Sequence, residues 1–119
     1  MGLRIRKLLL ERAGYSVLTA EDGPTGLEIL AQEQIDAVVL DYYMPGMDGG
    51  EVAAKMRVTN PHIPILLLSA YLGLPQEVIS LVDMYMTKGE GPPILLQNIT
   101  NLLALKENPP EAHSSESPS

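Results

Sequence analysis

The feature that most constrains this chain is an apolar run that does not alternate. Ile35-Asp36-Ala37-Val38-Val39-Leu40-Asp41 carries four consecutive apolar residues, Ala37 to Leu40, and stops on a carboxylate. A strand with one solvated face alternates polar and apolar side chains. An unbroken apolar run belongs to a strand covered on both faces, the condition of a parallel sheet packed between helices. Ile63-Pro64-Ile65-Leu66-Leu67-Leu68-Ser69 repeats the design and ends in a small hydroxyl residue. A third, shorter run, Met84-Tyr85-Met86-Thr87-Lys88, ends in a lone lysine.

The segments between these runs read as helices. From Leu3 to Ala13 the apolar residues Ile5, Leu8, Leu9 and Ala13 recur at helical spacing, with Arg4, Arg6, Lys7, Glu11 and Arg12 between them. Gly14 supplies a stop. Tyr15 to Ala20 (YSVLTA) reads as a short strand, closed by the turn-prone pair Asp22-Gly23. A second helix is expected from about Pro24 to Gln32, with Leu27, Leu30 and Ala31 inward and proline in its first turn. A Gly/Pro-rich loop from Met44 to Gly50 leads into a third helix, about Gly50 to Val58, and a last helix spans about Pro93 to Leu105. Strands alternating with helices across short connections predict right-handed βαβ units and a mostly parallel α/β sheet.

Composition sets the outer limits. At 119 residues the chain is one domain long, and its 45% hydrophobic content is enough for a core. With no Phe and no Trp, that core must be aliphatic. A formal charge of -7 argues against nucleic acid as a direct partner, since phosphate backbones select basic patches. The absence of cysteine removes disulfides, thiolate metal sites and thiol nucleophiles. No apolar run approaches the roughly 20 residues of a membrane crossing, and the N-terminus has no secretion signal, so a cytoplasmic setting is expected. The domain is expected over 1–105. From Lys106 to Ser119 no apolar residue exceeds alanine or proline in size, so a disordered tail is expected there.

In a doubly wound sheet, ligands collect outside the carboxyl ends of the strands. Asp41, Ser69 and Lys88 are delivered to that edge by three successive strands. A carboxylate can serve as a nucleophile and become an acyl phosphate. A hydroxyl can donate to a phosphoryl oxygen, and an ammonium can neutralise its charge. Taken singly, each has a plainer reading: the aspartate as a turn former or helix cap, the serine and lysine as solvated ends. The coincidence of all three favours the phosphoryl site.

The local sequence narrows the choice. VVLDYYMPGMDGGEV resembles the acceptor-site signature of response-regulator receiver domains: apolar strand, acceptor Asp, two variable residues, Met-Pro, then Met-Asp-Gly opening a helix. AGYSVLTAEDGPTGLEIL, IPILLLSA and MYMTK resemble the segments that flank it in that family, in order, across residues 3 to 105. The resemblance implies a flavodoxin-like sheet flanked by helices and a signalling module rather than an enzyme. It makes Asp41 the phospho-acceptor, Ser69 the hydroxyl that turns toward the phosphoryl group, and Lys88 its ionic partner. Tyr85 falls at the aromatic position whose rotamer reports activation; its plainer reading is an amphipathic strand side chain with a solvated hydroxyl. The implied partners are a histidine kinase or phosphotransfer protein and a downstream protein.

Two departures stand out. Receiver domains open with an apolar strand ending in paired acidic residues, which hold Mg²⁺ together with the acceptor Asp and the carbonyl two residues beyond it. Here the first residues already read as a helix; a deletion or a misassigned start codon is the plainer alternative to a natural start at Met1-Gly2. Glu21 and Asp22 are adjacent acids but follow the expected second strand. With only Asp41 and the Tyr43 backbone carbonyl as ligands, Mg²⁺ is expected to bind weakly or not at all. Gly89 also replaces the proline that the family places after its lysine, which loosens that turn.

In the family's 2-1-3-4-5 strand order, the missing first strand is central. Its loss exposes unpaired backbone beside an apolar core, which predicts a homodimer that covers the gap unless the second strand closes onto the third. With no output domain after Lys106, output is expected through protein contact. The alternative is a degenerate receiver, a dimerisation or interaction module that works without phosphate. A haloacid-dehalogenase-type phosphatase is disfavoured, because it requires a second Asp where Tyr43 stands.

Overall fold

The computed structural model describes residues 2–44, 46–70 and 73–107. Its elements in chain order are α1 (Leu3–Arg12), α2 (Gly23–Gln32), β1 (Val38–Asp41), α3 (Gly49–Thr59), β2 (Ile65–Ser69), α4 (Gln76–Ile79), β3 (Met84–Thr87) and α5 (Pro92–Glu107). The strands form one parallel sheet in the order β1-β2-β3, with Val38 opposite Ile65 and Leu66 opposite Met84. This is the expected α/β architecture, a parallel sheet between helices. α5 runs two residues past the expected end of the domain at 105, since the helix continues through Glu107; the remainder of the expected tail, 108–119, lies outside the described residues.

The non-alternating run of β2 has the predicted cause, whereas β1 and β3 are only partly buried. Every residue of β2 is buried, because successive side chains enter different cores. Ile65 and Leu67 join Leu40, Val52, Ala53, Met56, Leu30 and Val78 beneath α2, α3 and α4. Leu66 and Leu68 join Met86, Leu95, Ile99, Leu102 and Leu10 beneath α1 and α5. Burying such a leucine contributes roughly 1.5–3 kcal/mol, so the two-sided strand is the mechanical centre of the fold.

Helix ends follow local chemistry. Past α1, Gly14 takes a positive φ of 101°, and the Gly14 and Tyr15 N–H groups donate to the Glu11 and Leu10 carbonyls. This is a Schellman closure, which only glycine enters without strain. The Asp22 carboxylate accepts from the Thr25 N–H at 2.8 Å and caps α2. Asp48 and Glu51 form a reciprocal capping box at α3.

Two sequence expectations are corrected. Tyr15 to Ala20 has no regular secondary structure and pairs with no strand among the described residues. A strand exists only through a neighbour's ladder. Here Tyr15 and Val17 pack on the core beneath α1 and α5 while Leu18 stays exposed, so the segment neither joins the sheet nor closes onto β1. The inward face of α1 is also not the expected one. Arg6 and Leu10 are buried, whereas Ile5 and Leu8 are 55% and 50% exposed. The helix is rotated so that a cation, Arg6, enters the fold together with Leu10.

Candidate functional site

The site lies at the carboxyl ends of the strands. Asp41 is the last residue of β1, Ser69 the last of β2, and Lys88 immediately follows β3. The register holds them together: Ser69 pairs with Thr87, and the Lys88 N–H donates to the Ser69 carbonyl at 2.9 Å. The Lys88 turn is closed by Glu90, whose carboxylate accepts from the Thr87 N–H and hydroxyl at 3.0 and 3.3 Å. Those bonds tie down a turn in which Gly89 supplies no rigidity of its own.

Glycine at position 49 has a spatial reason. The Gly49 N–H donates to the Tyr42 carbonyl, and a Cβ on residue 49 would lie 2.7 Å from the Asp41 carbonyl oxygen and 2.8 Å from the Tyr42 Cα. The start of α3 therefore rests directly on the backbone that carries Asp41, which only glycine allows. The Tyr42 and Tyr43 rings meet edge to face at 5.1 Å, with Tyr43 largely exposed.

The carboxylate itself is held by two cations. Lys88 Nζ lies 3.3 Å from Asp41 Oδ1, an ion pair without hydrogen-bond alignment. The Arg6 guanidinium donates to Asp41 Oδ2 at 2.8 Å, with side-chain exposures of 5% for Arg6 and 22% for Asp41. Ser69 is buried at the same edge. Tyr85, by contrast, lies on β3 at the sheet edge and is 44% exposed, with its partner register at Leu67 and not at the strand ends. The sequence reading thus anticipated the convergence of Asp41 and Lys88 but missed Arg6. The available signal was Leu3, Arg6 and Leu10, which share one helical face, but the more numerous leucines on other faces obscured it.

Receiver domains imply a divalent cation, and the residues present do not fit one. Among the described residues no group of three or more His, Cys, Asp or Glu can hold a metal ion. Both Asp41 oxygens already face cations, and a buried guanidinium beside the carboxylate repels a second positive charge.

The comparisons agree with this architecture. A family model described as the response regulator receiver domain matches residues 2–100. The chain belongs to that family, and so to the receiver modules of two-component systems. Among curated relatives, it is 35% identical over 104 residues to the transcriptional regulatory protein GlrR of Escherichia coli strain K12, covering 85% of this chain and 23% of GlrR. It is 41% identical over 93 residues to the response regulator MprA of Mycobacterium leprae, covering 76% of this chain and 41% of MprA. The chain therefore spans well under half of these relatives. Among solved structures, TrrA of Thermotoga maritima in complex with Mg²⁺–BeF superposes with a TM-score of 0.78 at 31% identity, covering 83% of this chain and 87% of TrrA. A CheY-like receiver domain of Methanospirillum hungatei gives 0.80 at 26% identity, covering 88% and 86%. Among the described residues no helix is long and apolar enough to cross a membrane.

Proposed function

We propose that this receiver domain takes a phosphoryl group on Asp41 from a histidine kinase or phosphotransfer protein and passes the signal on by protein contact. The observation that carries the reading is the meeting of Asp41 and Lys88 at 3.3 Å, beside buried Ser69, at three successive strand ends. In this reading the Asp41 carboxylate is the acceptor, Lys88 offsets the added charge, and the Ser69 hydroxyl turns to a phosphoryl oxygen. Tyr85, half in solvent on the edge strand, is the side chain whose rotamer a downstream protein would read. The domain acts as a switch rather than an enzyme, in the cytoplasm, away from membrane and nucleic acid. Mg²⁺ contributes weakly or not at all, since among the described residues Asp41 and the Tyr43 carbonyl are the ligands that the family pattern leaves. The test is incubation with phosphoramidate followed by intact-mass analysis: one added phosphoryl group is expected, and none in Asp41→Asn. An unlabelled wild type would favour the alternative, a degenerate receiver that serves as a phosphate-independent interaction module.

A homodimer is part of the same proposal. β1 pairs with β2 alone among the described residues, and α1 presents Ile5 and Leu8 to solvent. A second copy would cover that edge and those side chains. Sedimentation equilibrium should show a dimer that Leu8→Glu dissociates; a monomeric wild type at micromolar concentration would remove this element.

A further inference from the structure

Lys88 reaches the site from a turn that has little stiffness of its own. Thr87 ends β3, and the chain then runs Lys88-Gly89-Glu90-Gly91 before Pro92 and Pro93 open α5. Glycine adds backbone freedom, so a turn with glycine on both sides of residue 90 needs another source of order. Hydrogen bonds between Thr87 and Glu90 supply it. The Glu90 N–H donates to the Thr87 carbonyl at 3.2 Å. In return, Glu90 Oε2 accepts from the Thr87 N–H at 3.0 Å and from the Thr87 hydroxyl at 3.3 Å. Lys88 is the first residue inside this closed turn.

The sheet explains why a carboxylate is wanted there. Successive N–H groups along a strand point to opposite sides. The Lys88 N–H points across to β2, where it donates to the Ser69 carbonyl at 2.9 Å. The Thr87 N–H therefore points away from β2, on the side where β3 has no neighbouring strand among the described residues. A donor on a sheet edge has no ladder partner, and Glu90 takes its place.

We propose that Glu90 is a positioning residue for Lys88: its carboxylate fixes the turn that aims the Lys88 ammonium at Asp41 and at the anion Asp41 would carry. The inference rests on the reading of Asp41 as the acceptor and deepens it. Lys88 Nζ lies 3.3 Å from Asp41 Oδ1, and the lysine side chain is 37% exposed. An ammonium on a flexible, partly solvated stem loses rotamer freedom when it is held in one place. A fixed origin for that stem raises the share of time the charge spends at the carboxylate. Glu90 need not touch Asp41, because its effect passes through the backbone of residue 88.

The experiment is a beryllofluoride titration of the whole 119-residue chain with Mg²⁺ in excess, read by amide NMR at Gly49 and Lys88. Glu90→Ala should weaken binding about fivefold, the scale of one or two exposed hydrogen bonds. Glu90→Gln keeps an acceptor oxygen and should stay within about twofold of wild type. On a Lys88→Ala background, Glu90→Ala should change nothing further, because the residue it positions is gone. Residue 90 is exposed in a turn, so these variants should fold, and urea midpoints check that they do. A second readout needs no ligand. In the free protein, Glu90→Ala should increase the fast motion of the Lys88 side chain, measured by relaxation at its ε-carbon. Unaltered affinity in Glu90→Ala, or an equal loss with and without Lys88, would overturn the proposal and leave the acceptor reading standing. Unaltered Lys88 relaxation would overturn it as well. Failure of wild type to bind would overturn the acceptor reading and, with it, this role for Glu90.

Discussion

Two arginine–aspartate pairs of equal length sit at opposite ends of the sheet, and they do different things. Arg57 and Asp83 meet at 2.8 Å at the amino ends of the strands, with side-chain exposures of 21% and 28%. Arg6 and Asp41 meet at the same distance at the carboxyl ends. Arg57 also donates to the Leu81, Pro61 and Ile63 carbonyls, at 2.8, 3.1 and 2.6 Å, and Asp83 accepts from the Ile65 N–H at 2.8 Å. That pair closes the backbone accounts of the loops entering β2 and β3. Asp41 accepts no backbone N–H through its carboxylate among the described residues; it faces two cations instead. A pair that satisfies main-chain groups holds a fold together. A carboxylate that faces two cations and satisfies no main-chain donor stands instead at the strand ends, the edge where ligands collect in such sheets.

The comparison is most easily broken at Arg57. Arg57→Ala removes the donor to three carbonyls and leaves Asp83 without its cation, so stability should fall by about 3 kcal/mol. That is a large share of the roughly 5–15 kcal/mol expected for a whole domain. Urea unfolding measures it. A loss below about 0.5 kcal/mol, the range of ordinary surface changes, would show that the pair at the amino ends is no more structural than its counterpart.

A smaller effect sharpens the comparison by touching neither pair. Asp22 caps α2, and the Thr25 backbone N–H, with the Thr25 side chain second, holds its carboxyl below the ordinary carboxylate range. Because the folded pKa lies below the unfolded one, the ionised group stabilises the fold above the unfolded value. That stabilisation disappears as pH falls through the folded value. Asp22→Asn keeps a capping side chain and should therefore lower the melting temperature only slightly at neutral pH. The gap between wild type and variant should close in acid. Thermal unfolding across a pH series reads this directly, and a gap independent of pH would show that Asp22 works as a neutral cap.

Local chemistry made much of the fold legible. The turn-prone Asp22-Gly23 before Pro24 and the Gly/Pro-rich loop from Met44 to Gly50 placed the starts of α2 and α3 within a residue, and the structure adds that Asp22 and Asp48 cap them. The apolar run fixes β2, because a strand buried on both faces must be apolar throughout, and the shorter runs mark β1 and β3 beside it, which are only partly buried. Their last residues place Asp41, Ser69 and Lys88 at one edge without any knowledge of tertiary contacts. The short helix α4 was missed, since four residues carry too little periodicity to read.

The sequence by itself determined the class of sheet, the order of its elements and the three strand-end residues, because each depends on neighbours within a few positions. Only tertiary structure decided which side of α1 turns inward and whether Tyr15 to Ala20 becomes a strand. The first depends on a charge 35 positions away that makes a buried arginine acceptable. The second depends on whether the edge of β1 comes within hydrogen-bonding reach, and pairing across a sheet is a property of two segments, never of one.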